Sequence, residues 1–215
     1  MKFSENFNDK IIAFGYRFLT IFFNICCLYF IQAQEIPILA FHGVQRDNLS
    51  VENFSKMKQA GIKINFSIYK SNEEAQKALD NAECAGVKIL LYSDDLVHYP
   101  EQTIKRFKNH PALYGYYVTD EPSADDFKLV RDRINIIKKF DPIHPVYVNL
   151  YPNYALPSQM KKDSYDNYLN EFTNAVPIDF ISFDNYPLMS NKIHSKWYEN
   201  LEQIRKYSID RKSVV

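Results

Sequence analysis

Glycine is scarce, five in 215 residues. That scarcity argues against a glycine-rich phosphate loop after the first strand, where Phe41-His42-Gly43-Val44 offers a single glycine. Charge excess is absent too: 26 Lys and Arg balance 26 Asp and Glu. A neutral chain lacks the broad electrostatic grip that nucleic-acid binding requires. Cysteine is nearly missing, with Cys26 and Cys27 in an apolar N-terminal segment and Cys84 the one other thiol. Without that segment no internal disulfide is possible, and the fold must rest on its core. No His-Glu-x-x-His or paired-histidine spacing offers a metal site, and no Gly-x-Ser-x-Gly offers a nucleophile elbow. Metal and triad chemistry therefore have no motif behind them, and no cofactor is expected.

What is present begins with Lys2 and Lys10 ahead of an apolar region from Ile11 to Ile31, interrupted by Arg17 and uncharged from Phe18 onward. The uncharged run has the length of a secretory h-region and is shorter than the roughly 20 residues of a spanning helix. Residues 1–33 read as a signal peptide with Ile31-Gln32-Ala33 at its cleavage site; an uncleaved anchor or a buried helix are the alternatives. The reading makes residues 34–215 an exported domain, periplasmic, cell-surface or extracellular, without stable membrane contact after cleavage.

From there strand and helix patterns alternate. Ile36 to Phe41 is a short apolar run, and the helical spacing of Val51, Phe54, Met57 and Ala60 predicts a helix over Asn48 to Ala60, stopped by Gly61. Ile62 to Tyr69 is a second strand, and the capping pattern Ser71-Asn72-Glu73-Glu74 opens a helix ending at Gly86. Strands follow at Lys88 to Ser93, Leu113 to Pro122, Pro145 to Leu150 and Asp179 to Phe183, with helices at Pro100 to Asn109, Ser123 to Phe140, Ser164 to Ala175 and His194 to Tyr207. Six βα units in succession predict an α/β fold with a parallel sheet. Polar residues gather at every strand's C-terminal end, as a TIM-type barrel predicts, which favours the barrel over the competing doubly wound sheet. The barrel is incomplete, with about six of eight units, since a full one takes about 250 residues.

The strand-end candidates are His42, Asp94 with Asp95, Asp120 with Glu121, Asn149, Tyr151, Asp184 and Tyr186. Each has a plain structural reading beside the functional one. His42 can be a hydrogen-bonded core residue, Asp94-Asp95 a solvated pair, and Asp120-Glu121-Pro122 a turn in which Ser123 and Asp126 cap the next helix. Adjacent carboxylates at a strand tip also suit glycoside hydrolysis, which needs one carboxyl group kept protonated and a second that stays ionised.

The segment from His110 through Leu113-Tyr114-Gly115-Tyr116-Tyr117-Val118-Thr119-Asp120-Glu121-Pro122 resembles the fourth-strand region of the retaining glycoside hydrolases with (β/α)8 barrels, the clan of β-galactosidases, cellulases and mannanases. Asp184-Asn185-Tyr186-Pro187 is similar to that clan's sixth-strand end. The resemblance implies a retaining two-carboxylate mechanism on β-linked oligo- or polysaccharide, with Glu121 as acid/base and Asp120, His42, Asp94, Asn149, Tyr151, Asp184 and Tyr186 as sugar-binding groups. Asp120 replaces the clan's usual asparagine; while ionised it accepts but does not donate a hydrogen bond, and it raises the proton affinity of its neighbour. The clan's nucleophile is a glutamate at the end of strand seven, and Lys212 to Val215 read as the first residues of that strand. The expectation is a hydrolase-like chain, truncated before its second carboxylate and inactive alone. A non-catalytic carbohydrate-binding barrel and a metal-dependent sugar isomerase-type barrel are the other readings.

Overall fold

The computed structural model describes residues 36–189, 191–208 and 213–214; the expected signal peptide lies outside them. The chain divides into Met1–Ile36 and Pro37–Val215, and the second unit carries everything that follows. Among the described residues no helix is long and apolar enough to cross a membrane.

Strands β1 (Leu39–Phe41), β2 (Ile64–Phe66), β3 (Lys88–Leu91), β4 (Leu113–Asp120), β5 (Val146–Leu150) and β6 (Phe180–Phe183) lie side by side in sequence order, all parallel. Helices connect them: α1 (Val51–Gln59), α2 (Asn72–Ala85), α3 (Asp94–His98), α4 (Pro100–Phe107), α5 (Phe127–Phe140), a short α6 (Pro157–Met160) and α7 (Tyr165–Ala175). After β6 come a hairpin, β7 (Leu188–Met189) with β8 (Lys192–Ile193), and helix α8 (Trp197–Ser208). Strand β9 (Ser213–Val214) then pairs parallel with β6 as the seventh strand of the sheet, where Lys212 to Val215 are expected to begin one. The result is a curled part-barrel of α/β type, an incomplete TIM barrel.

Local chemistry sets the element ends. Four helices start on serine: Ser50, Ser71, Ser93 and Ser164 accept from the backbone N–H of Asn53, Glu74, Leu96 and Asn167. Each cap is worth about 1 kcal/mol. Gly86 closes α2 in the left-handed conformation, φ 69°, which glycine adopts without a Cβ clash. The Asp94-Asp95 pair, expected in a loop at the third strand's end, instead forms the first turn of α3. Two acids there favour the positive end of the helix dipole.

Strand alternation feeds two cores. On the outer face Ile89, Leu91, Tyr116, Val118 and Val148 pack against the helices. On the inner face Ile64, Phe66, Leu90 and Tyr117 form a second cluster, joined by Tyr92 and Tyr147. Burying each such apolar side chain contributes roughly 1.5–3 kcal/mol. The inner cluster is an aromatic belt across the strands. Phe41 meets Phe66 at 4.7 Å between centroids, Phe66 meets Tyr117 at 4.3 Å, and Tyr147 lies 5.8 Å from both Tyr117 and Phe180.

Gly115 lets β4 and β5 approach. A Cβ there would stand 2.3 Å from the Pro145 carbonyl oxygen, with the proline ring 2.9 Å away. Gly115→Ala is expected to destabilise the fold by about 1–3 kcal/mol through backbone displacement. An unchanged urea midpoint would contradict this.

Candidate active site

Strand β4 carries the candidate acid, and an irregularity in it aims the side chains. Tyr117 is level with Tyr147, but the next β5 residue, Val148, is level with Thr119, so β4 spends two residues against one. Such a bulge reverses the alternation beyond it. Asp120 therefore comes level with Asn149, on the same face as Tyr117. In an even strand it would point at the helices.

Asn149 is the hub. It is 6% exposed, and its Nδ2 donates to Asp120 Oδ1 at 3.0 Å and to Asp184 Oδ1 at 2.8 Å. Its Oδ1 accepts from the Ser182 hydroxyl at 3.1 Å, and that hydroxyl also bonds to Tyr147. The amide thus spreads two carboxylates and spends both its protons on them. Sequence reasoning assigns Asn149 to sugar; in the structure both protons of its side chain are engaged by Asp120 and Asp184.

Glu121 follows with φ 40°, a left-handed conformation that is sterically costly for a residue with a Cβ and recurs at functional sites. Two hydrogen bonds fix this corner: the Glu121 N–H donates to Asn149 O at 2.8 Å, and the Tyr168 hydroxyl donates to Pro122 O at 2.7 Å. Ser123 and Asp126 then form the capping box of the following turn. The segment is both a cap and a strand tip. The cap begins after Pro122 and leaves Glu121 free.

Burial, then a hydrogen bond to the Asp184 carboxylate, then the charges of Asp184 and Asp120, push the Glu121 carboxyl up to about 7. The sequence credits Asp120 with this effect, whereas burial and Asp184 come first. Asp184 is itself held by Asn149, by the Tyr186 hydroxyl donating to its Oδ2 at 3.1 Å, and by its own N–H to Leu150 O. Burial and Asp184 in turn push Tyr186 up to about 12, so it remains a neutral donor.

Of the other expected residues, Tyr151 has its phenol pushed up by burial and by Glu121 and Asp120, which puts it beside the acid. His42, at φ 58°, is exposed and rests against Phe41 and Phe66, on a cavity that also reaches Asp120. Asp94 is exposed on α3, and among the described residues no hydrogen bond or ion pair of its side chain joins it to the cluster. Asp95 is structural and caps α2 by accepting from Asn72 N at 2.7 Å.

Several members of the site carry no sequence signal. Tyr154 accepts from Tyr186 N at 3.0 Å, and Asn200 of α8, fully buried, donates to the Asp184 carbonyl at 2.9 Å and to Asn185 Oδ1. Asn200 also accepts from Asn153 N. An asparagine within an amphipathic helix does not reveal whether it faces water or a loop. Among the described residues no group of three or more His, Cys, Asp or Glu is arranged to hold a metal ion.

No protein-family model matches the sequence, and no match is found among curated proteins. Solved structures share the fold. A β-mannanase from the blue mussel Mytilus edulis superposes with a TM-score of 0.59 at 12% identity, over 84% of this chain and 77% of that one. A β-1,4-mannanase from the sea hare Aplysia kurodai gives 0.51 at 11% identity, over 77% and 75%. An endo-1,4-β-mannanase from Eisenia fetida gives 0.50 at 13%, over 68% of this chain and 63% of the mannanase, less than two thirds of its length. At these identities the likeness is one of fold.

Proposed function

We propose that this chain is an exported O-glycosyl hydrolase of the barrel type, acting on β-linked polysaccharide by a retaining two-carboxylate mechanism. One observation carries the reading: a carboxyl group at the tip of the fourth strand with its proton affinity raised to about 7. That is the property a general acid needs to donate to a leaving oxygen near neutral pH. Glu121 is the acid/base. Tyr151, His42, Asp120 and Tyr186 offer hydroxyl-binding and stacking groups around it. The three β-mannanases that share the fold support β-linked mannose polymers as the first substrates to test.

Asp184 is not the second carboxylate in this reading. A retaining pair stands about 5–5.5 Å apart so that the sugar fits between. Asp184 instead is held by Asn149 and Tyr186 and raises the proton affinity of Glu121. Its part is to keep the acid protonated. The nucleophile belongs at the tip of the seventh strand, of which β9 supplies Ser213–Val214. In this reading turnover requires the carboxylate at that strand's tip.

The test follows the anomeric configuration. A protein with the seventh strand complete, given β-1,4-linked manno-oligosaccharides and aryl β-glycosides, is expected to release sugar of retained configuration, read by proton NMR. Inverted product would reject the mechanism. Failure to bind either the oligosaccharides or the glycosides would reject the carbohydrate reading itself.

A further inference from the structure

Arg133 of α5 is half-buried and stands apart from the other described arginines. Arg46, Arg106, Arg131 and Arg205 each reach a carboxylate, on Asp47, Glu73, Asp132 and Glu202. Arg133 has no ion pair or hydrogen bond to any described residue. It lines a cavity of about 240 Å³ together with Phe41, His42, Tyr92, Tyr117 and Asp120. A smaller cavity of about 60 Å³ against the helices shares Tyr92, Tyr117, Val118 and Arg133 with the first, so Arg133 and Tyr117 stand where the two meet.

Tyr117 supplies the second observation. It is 5% exposed, and its hydroxyl is buried with no partner in hydrogen-bond geometry among the described residues. Burial, followed by the nearby Asp120 carboxylate, pushes the phenol up and keeps it a neutral donor. A buried polar group left unpaired costs about 1–3 kcal/mol. Of the two donors bordering the space, the neutral one lies beside Asp120 and the cationic one has no acceptor among the described residues. Water satisfies a hydroxyl. A partly desolvated guanidinium is satisfied best by a planar or tetrahedral anion that takes two parallel N–H bonds. The rest of the wall consists largely of aromatic rings, a surface for the face of a sugar. Asp120 across the cavity disfavours an anion deeper in the mouth, which fixes the orientation of an acidic ring with its charge toward α5.

Resting on the carbohydrate reading above, we propose that this cavity is a recognition site for an anionic substituent of the glycan, a uronic-acid carboxylate or a sulfate ester, held by Arg133. Calorimetric titration of the whole chain tests it with three matched β-linked oligosaccharides: one bearing a single uronic acid, its carboxyl-reduced neutral counterpart, and the same neutral sugar bearing one sulfate ester. The uronate, the sulfate or both are expected to bind about tenfold tighter than the neutral sugar at low salt. The one with the larger preference identifies the substituent. Arg133→Gln is expected to bring that preference below about twofold and Arg133→Lys to keep part of it. Arg133 has no partner to strand, so these variants fold. Equal affinity for all three sugars, or a preference that survives Arg133→Gln, overturns the proposal while leaving the carbohydrate reading intact. Binding of none of the three overturns both.

Discussion

Glu121→Gln, in the protein with its seventh strand complete, is expected to lower kcat/KM by about 10²–10⁴-fold and at the same time to stabilise the fold at alkaline pH. The two effects share one cause. Burial and the neighbouring Asp184 and Asp120 raise the carboxyl to about 7, above the roughly 4.3 of an unfolded chain. A group with a raised folded value contributes its full stability below the unfolded value and loses it as pH rises through the folded one. The wild-type protein should weaken between about pH 4.5 and 7, and the neutral glutamine should not. Each tenfold rise in proton affinity corresponds to about 1.4 kcal/mol. Glu121 is partly open to solvent, which screens the interaction, so the gain at pH 8 should be about 1–2 kcal/mol. Urea unfolding at pH 5 and pH 8 checks this. A glutamine variant no more stable than wild type at pH 8 would show that Glu121 carries no strained charge. The wild-type kcat/KM should fall as pH rises past about 7, on loss of the proton the acid donates.

Asp141→Ala should cost about 3–5 kcal/mol, the largest stability change expected outside the hydrophobic cores. Asp141 is 2% exposed. Its Oδ2 accepts from the Tyr116 hydroxyl and from His144 Nδ1, both at 2.7 Å, and its Oδ1 accepts from the N–H groups of Ile143 and His144 at 3.2 Å. Removing the carboxylate strands a buried phenol and two backbone donors at once. Burial pushes the Asp141 carboxyl up, but the hydrogen bonds from Tyr116 and His144 outweigh it and hold the group below the usual carboxylate range. That contribution is therefore present above about pH 4 and is lost as pH falls through the depressed folded value. The cost of the alanine variant should shrink in acid. A penalty under about 1 kcal/mol at pH 7 would mean that water replaces the carboxylate in the turn. The effect reaches the site because this turn joins α5 to β5 and ties both to Tyr116 of β4.

The order of elements was legible because the signals behind it are local. Apolar runs marked strands, helical spacing marked α1 and α5, and Ser71 with Gly86 marked both ends of α2. The hairpin of β7 and β8 was not legible, since Leu188 and Ile193 are exposed and show no burial pattern. Nor was α3, whose Asp94-Asp95 pair reads equally as a strand-end cluster and as a helix's first turn. At the site, sequence reasoning placed Glu121, Asp120, Asn149, Asp184 and Tyr186 at strand ends, and the structure joins the last four in one hydrogen-bonded chain with Asp184 also on Glu121. What it missed was direction: that Asn149 faces two carboxylates, that Asp184 outranks Asp120 in charging the acid, and that Asn200 reaches back from α8. These depend on which residues become neighbours across 15 positions or more.

The bulge in β4 makes the address of the site a matter of counting. Tyr117 and Asp120 share a face only because one residue between them is surplus to the pairing with β5. Loss of that single residue would restore an even strand without moving the site. Asp120 would still stand level with Asn149, because it and Tyr117 would then be two apart. An even strand that kept all its residues would instead turn Asp120 toward the helices while leaving the fold standing, an event that a comparison of residue types alone would pass over.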